Sequence, residues 1–434
     1  MTNRAPAGRH GGRRPGPLAL GAVAAAAALA LAACGSSSSS TSSSVSGSSD
    51  TPVKVGYLVP LTGVFTSNGT SEMDGFKLGL KTFGSTVDGH PIQVTYLNGE
   101  GEPTVSLSDA TQLVTRDHVQ LVEGPLVSSS IAVVSPYVQG QGVVEDDLYL
   151  ASPKQMQEYQ ESHLGFTSDW NGYQPTTEGA LWAYQTMHWR HVTTVGLNIS
   201  YGWQGVGGFE AEFKKLGGTI DKSIWVPSNA VEMSSYVSSI PSSTQAVFVV
   251  LSGAQAANFV NTYAQFGLKG KIPLMGITTL TDQAALPAEH ASAALGVYTD
   301  AQYCDDLPSA ANQAFANAYH AAYGQYPSYY SEAGYTKAQI LVSALKALHG
   351  DVTSEAALAK AMQDVKVSAP RGPVSLSPVT FSPVENEYIC KVEMVGGSLR
   401  NVPIMTYPNV QPWGALSQSA FETNFAQQSS GPPS

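Results

Sequence analysis

Hydrophobic and polar positions alternate along this chain on two scales. Short β-branched apolar runs of strand length are followed by stretches of helical period. Residues 53–59 form the first run, ended by Pro60-Leu61-Thr62-Gly63. The loop Ser67-Asn68-Gly69-Thr70-Ser71 leads into a helix predicted over 72–83, followed by a strand over 92–96 and a helix over 106–116. A third strand, 119–122, is broken by Gly124 and Pro125. Ser128, Ser129 and Ser130 follow, and then the apolar face of a helix over 131–138. A strand that turns into a helix start gathers unpaired backbone N–H groups and a partial positive charge in one small volume. Ser128 and Ser129 at that corner either cap the helix or hold an anion. In open α/β sheets ligands sit beyond the carboxyl ends of the strands. A fourth strand opens at Val143-Val144, but Glu145-Asp146-Asp147 stands where its apolar run should continue.

The pattern restarts around 165–174. A buried strand over 192–198 is followed by the turn Tyr201-Gly202-Trp203-Gln204-Gly205 and a helix over 208–216 that Gly217-Gly218 terminates. Strands over 219–225 and 246–251, a helix to Phe266, and a strand over 272–276 ending in Ile277-Thr278-Thr279 complete a second unit. Helical patterns return at 310–323, 332–349 and 354–363. Residues 374–395 are strand-like up to a Gly396-Gly397 turn, and from Tyr407 onward the chain reads as a loose tail. This alternation, with short connections, predicts an α/β fold of two doubly wound parallel sheets.

The N-terminus changes the picture of where the protein works. Residues 1–17 carry Arg4, Arg9, Arg13 and Arg14 and no acid, residues 18–33 are apolar and Ala-rich, and Leu31-Ala32-Ala33-Cys34 closes the run. This is the layout of a signal peptide over 1–33. A cysteine directly after the small residues resembles a bacterial lipoprotein signal, which would lipidate Cys34 and tie the chain to a membrane. Residues 34–50 are nearly all serine and predict a flexible tether. About 380 residues remain, enough for two lobes of ordinary size. Without residues 1–33 the chain holds 18 basic and 33 acidic residues, a net charge of −15, which argues against a nucleic-acid partner.

Cys304 and Cys390 are then the remaining cysteines, an even pair that export to an oxidising compartment would allow to form a disulfide. No nucleophile elbow or phosphate-binding Gly-rich loop occurs. His188 and His191, flanked by Trp189 and Arg190, read as a helix end rather than a metal site. No cofactor, metal or catalytic set is expected. The tyrosines at 323, 326, 329, 330 and 335 are expected to pack a helix join or line a cleft.

Residues 53–63, Gly124 to Ser130, Tyr201-Gly202, 268–276 and Arg371-Gly372-Pro373-Val374, in that order, resemble the leucine/isoleucine/valine-binding proteins. These are type I periplasmic solute-binding subunits of ABC importers. The resemblance implies two α/β lobes joined by three hinge crossovers, near 166–170, 297–303 and 366–371. Lobe one would hold 53–168 plus 302–365, lobe two 169–301 plus 366–406, with 407–434 as a tail. It implies that Ser128 and Ser129 hold a ligand carboxylate and that Tyr201, with Trp203 beside it, closes from the second lobe. Asn68 joins the expected ligand set. The family's small residue and hydroxyl after the fourth strand must be supplied here by Asp146-Asp147 or Ala151-Ser152. Amino-acid binders of this family place an acid after the strand at 272–276, where this chain has Thr278. A buried ammonium without a countercharge costs several kcal/mol, so either Asp146 or Asp147 meets it or the ligand is not an α-amino acid.

The function expected is an extracytoplasmic solute-binding lipoprotein. It would capture a branched-chain-amino-acid-like or other small carboxylate or amide solute and pass it to ABC permease subunits, with no chemistry. An extracellular ligand sensor using the same cleft is the alternative, and an exported enzyme the less favoured one.

Overall fold

The computed structural model describes residues 51–150, 152–428 and 431–433. Cys34, its signal and its tether lie outside them.

The first sheet is built by β1 (Val53–Val59), β2 (Thr86–Val87), β3 (His90–Asn98), β4 (Leu121–Glu123), β5 (Val144–Leu150) and β6 (Gly165–Asn171), in the spatial order β2-β3-β1-β4-β5-β6. The strands from β3 to β6 pair in parallel. The helices between them are α1 (Thr66–Phe83), α2 (Pro103–Gln112), α3 (Ser128–Gly140) and α4 (Pro153–Ser162). Because helices cover a parallel sheet, its strands are buried and read as continuous apolar runs; β1 is buried at all but Lys54.

The chain leaves this sheet after β6. It continues through α5 (Gln174–Gln185), β7 (His191–Leu197), α6 (Ser200–Lys215), β8 (Thr219–Val226), α7 (Ser234–Ser238), β9 (Ala246–Val250), α8 (Gly253–Gln265), β10 (Leu274–Ile277), α9 (Ala291–Ala294) and β11 (Tyr298–Ala301). It then returns to pack α10 (Ala310–Tyr323), α11 (Tyr329–Ala347) and α12 (Glu355–Asp364) with the first sheet's elements. A third passage leads to β12 (Val367–Ala369), β13 (Gly372–Leu376), β14 (Pro383–Val395) and β15 (Ser398–Val410). The second sheet runs β12-β13-β14-β11-β10-β9-β7-β8, with β15 paired to β14. The Cys304–Cys390 disulfide joins the end of β11 to its neighbour β14.

Three elements depart from the sequence expectation. α1 starts at Thr66 and absorbs the predicted loop, and α6 starts at Ser200 and absorbs the predicted turn. The residues from Gln418 to Gln428 are not a loose tail but a helix, α13, whose Phe421 and Phe425 pack on Tyr173 at ring distances of 5.0 and 6.0 Å. α11 crosses α1 at backbone contact. A Cβ at Gly75 would lie 1.9 Å from the Ser331 carbonyl, and one at Gly334 would lie 2.1 Å from that of Glu72. This close crossing sets the start of α11 beside the start of α1.

Candidate functional site

Five helices start at one cavity between the two sheets. Phe65 precedes α1, Val127 and Ser128 open α3, Ile199 and Tyr201 open α6, Ser252 precedes α8, and Tyr330 is the second residue of α11. The remaining wall is Leu126, Leu148, Tyr149, Trp170 and Leu197. Strand-to-helix connections of a parallel sheet all open at the same edge, so this convergence follows from the fold. Helix starts carry partial positive charge and free N–H groups. None of the described residues that line the cavity is charged. The empty volume is about 410 Å³, counting open space at its mouth, of which about 30 Å³ admits the centre of a water-sized sphere.

Five aromatic rings dominate the wall. Trp170 packs against Tyr149 at 4.9 Å and stands edge-on to Tyr201 at 5.9 Å. Tyr201 donates to Thr279 Oγ1 at 2.6 Å, which donates onward to the Leu251 carbonyl at 2.7 Å. Tyr149 bonds Gln204 across the sheets. Burial holds the phenols of Tyr149, Tyr201 and Tyr330 well above their ordinary pKa, so they remain neutral donors.

The lobes touch directly at the rim. Asn68 Nδ2 donates to Ser252 Oγ at 2.8 Å, and Ser252 Oγ shares a hydrogen bond with the Tyr330 hydroxyl at 2.9 Å. Gly253, with φ +58°, lets α8 approach so closely that a Cβ would stand 2.5 Å from the Val64 carbonyl. Arg371 sits in the turn between β12 and β13, just past the third passage. It donates to Glu385 at 2.5 Å, to Glu332 at 2.6 Å and to the Ser168 carbonyl at 2.7 Å.

The expected site residues divide accordingly. Ser128 and Tyr201 line the cavity, and Asn68 reaches its rim through Ser252. Ser129, one residue further into α3, does not line it. Asp146 and Asp147 do not line it either. Both are buried in β5, where the neighbouring strand β6 and helices packed on the sheet supply their partners. Asp146 accepts from Ser168 N at 2.8 Å and Ser168 Oγ at 2.6 Å and pairs with Lys337 at 3.0 Å. Asp147 accepts from Ser135, Gln155 and Tyr159 at 3.1, 2.8 and 2.5 Å, and burial pushes its carboxyl up to about 7. Of the other expected pair, Ser152 caps α4 by accepting from Gln155 N at 3.1 Å, and Ala151 lies outside the described residues. Trp203 turns away from the cavity wall to donate to Asn198 at 2.9 Å. Thr278 is buried but does not line the cavity; its neighbour Thr279 supports Tyr201 instead. The acid nearest in sequence is Asp282, which stands behind the wall, accepts from Ala284 N at 3.0 Å and is pushed up to about 7 by burial.

Sequence reasoning missed Phe65, Tyr149, Trp170 and Ser252 as wall residues, while Tyr330 comes from the tyrosine group expected to pack a helix join or line a cleft. Their common signal was position: each follows or ends a strand of the parallel sheets or opens a helix.

The chain matches the family model described as periplasmic binding protein over residues 52–397. It is 26% identical over 362 residues to the Leu/Ile/Val-binding protein homolog 6 of Brucella melitensis, covering 82% of this chain and 91% of that protein. A solute-binding protein of an ABC transporter from Rhodopseudomonas palustris BisB5, in complex with 3,4-dihydroxybenzoic acid, superposes with a TM-score of 0.79. It is 28% identical and covers 84% of this chain and 99% of its own. A second R. palustris solute-binding protein, in complex with benzoate, gives a TM-score of 0.75 at 26% identity, covering 83% of this chain and 97% of its own.

Proposed function

The chain belongs to the periplasmic binding protein family, and from that premise we propose that it captures a small aromatic carboxylate between its lobes. The observation that carries this is the cavity wall: five helix starts, five aromatic rings and no charged side chain. Helix starts stabilise an anion and repel an ammonium. Rings at 4.9–5.9 Å from one another suit a flat apolar body. An α-amino acid would find no acid on this wall, because Asp146 and Asp147 serve the interior of the first lobe. Benzoates bound by the two Rhodopseudomonas proteins support the same class of ligand.

In this reading Ser128 holds the carboxylate, Tyr201 closes from the second lobe, and hinge motion about the three passages opens and closes the site. The protein is exported, anchored through lipidated Cys34, and hands its solute to ABC permease subunits; no chemical step is assigned to it. Among the described residues no helix is long and apolar enough to cross a membrane.

A thermal-shift screen of the purified protein tests the ligand class. Benzoate, 4-hydroxybenzoate and 3,4-dihydroxybenzoate are compared with leucine, isoleucine and valine. A ligand at a hundred times its Kd adds about 2.7 kcal/mol of stability. The expected result is a shift with an aromatic acid that weakens in Ser128→Ala. A shift with the amino acids alone, lost in Asp282→Asn, would overturn the reading and make Asp282 the ammonium partner.

A further inference from the structure

Most buried side-chain atoms that lack a partner among the described residues are carboxylate oxygens away from the cavity, those of Glu387 and Asp300 among them. Two belong to residues that line the cavity: Ser128 Oγ and Trp170 Nε1. Both can donate, and the indole N–H can do nothing else. The neighbouring hydroxyls are already engaged. Tyr149 is bonded to Gln204, Tyr201 to Thr279, and Ser252 to Asn68 and Tyr330. Among the described lining residues, two side-chain atoms therefore lack a partner; both can donate, and only the Ser128 hydroxyl can also accept. A dry unpartnered N–H is costly, whereas one facing an anionic oxygen makes one of the stronger hydrogen bonds available.

Trp170 is 2% exposed. It lies on β6, beside Tyr149 of β5, and is held edge-on to Tyr201 and Tyr329 at 5.9 and 6.1 Å. A ring packed on these sides keeps its N–H fixed in place, so the donor is preorganised. We propose that Trp170 Nε1–H is a direct ligand-binding donor that, alongside Ser128, receives an oxygen of the solute. The assignment rests on the aromatic-carboxylate reading and deepens it. The solute must present oxygen acceptors at two points of the wall, and one that turns an ammonium toward the indole leaves the N–H unpaired.

The test is titration calorimetry of the wild type and Trp170→Phe with benzoate, 4-hydroxybenzoate and 3,4-dihydroxybenzoate. The variant keeps an aromatic ring and deletes the donor. At least one acid should bind roughly ten- to hundredfold more weakly, the range of a hydrogen bond to a charged group. Weakening for all three acids places the indole on the carboxylate; weakening confined to the hydroxylated acids places it on a ring oxygen. A second readout does not depend on the variant folding. The Trp170 indole N–H resonance of ¹⁵N-labelled wild type should move when the acid is added. An acid that binds both proteins equally and leaves that resonance unmoved overturns the assignment while sparing the ligand class. If none of the acids binds the wild type, the ligand class falls and the assignment with it.

Discussion

Gly253→Ala should impair ligand capture by blocking lobe closure. Gly253 has φ +58°, and a Cβ there would lie 2.5 Å from the carbonyl oxygen of Val64, on the other lobe. That atom belongs to the backbone between β1 and α1 and cannot swing aside. Ordinary contact begins at 3.4 Å, so the lobes must part by about 1 Å at this point. Parting strains the Asn68–Ser252 hydrogen bond of 2.8 Å and the longer Ala254 N–H to Val64 contact of 3.4 Å. At about 0.5–1.5 kcal/mol each, their loss takes roughly 1–3 kcal/mol from the closed state. Apparent affinity scales with the closed population, so Kd should rise by about 5- to 150-fold. Alanine at positive φ carries its own backbone cost of about 1–2 kcal/mol, present in open and closed forms alike. Gly396 supplies the control, since it has the same φ of +58° with nothing near its Cβ. Calorimetry gives Kd for both variants, and small-angle scattering of the ligand-free proteins gives their dimensions. If Gly253→Ala binds as tightly as Gly396→Ala, and neither is expanded, the closure argument is refuted.

The protein should be more stable in mild acid than in mild alkali. Burial raises Glu123 and Glu178 to about 8, and Glu72, Asp147, Asp282 and Glu385 to about 7. The folded chain thus holds protons that the unfolded chain loses near pH 4 to 4.5. Stability is full below that range and falls as pH rises toward 8, by up to about 1.4 kcal/mol per pH unit for a group in mid-window. Urea unfolding at pH 5, 6, 7 and 8 would show this, and Glu178→Gln should flatten the slope; stability that climbs with pH would contradict it. Lys337→Met should cost about 3–5 kcal/mol, because it strands the buried Asp146 carboxylate, which the ammonium meets at 3.0 Å. A loss below about 1 kcal/mol in the same unfolding assay would refute that role for the pair.

The fold class was legible because a parallel sheet covered on both faces has to be written as apolar runs between amphipathic helices. The anion corner was legible because Gly124-Pro125 followed by serines marks a strand turning into a helix start. Ser128 therefore stood out, and Tyr201 did so through the resemblance to the leucine/isoleucine/valine-binding proteins; both line the cavity. Other elements misled for physical reasons. Ser67 to Ser71 and Tyr201 to Gly205 carry residues that favour loops, yet both segments are helical. Their glycines are there for close approach: a Cβ at Gly69 would lie 2.2 Å from the Pro60 carbonyl, and one at Gly202 would lie 2.0 Å from that of Leu197. Asp146 and Asp147 looked like ligand groups because acids are rare in a central strand. What neutralises them is Lys337, some 190 residues away, and the polar side chains of Ser135, Gln155 and Tyr159.

The sequence by itself thus determined the parallel strands of both sheets, the place where they hand over to helices, and the cysteine pair; the antiparallel pairing among β11 to β15 in the second sheet, which makes that sheet mixed rather than parallel, it did not. Only the tertiary structure decided which acids are spent inside a lobe, that Trp170 stands on the wall with a free donor, and that the wall carries no charge. Periodicity is a local property that short-range sterics and hydrophobicity write into neighbouring residues. The chemistry of this cavity is set by side chains that seven separate segments bring together, and their partners are fixed only when the helices and sheets pack.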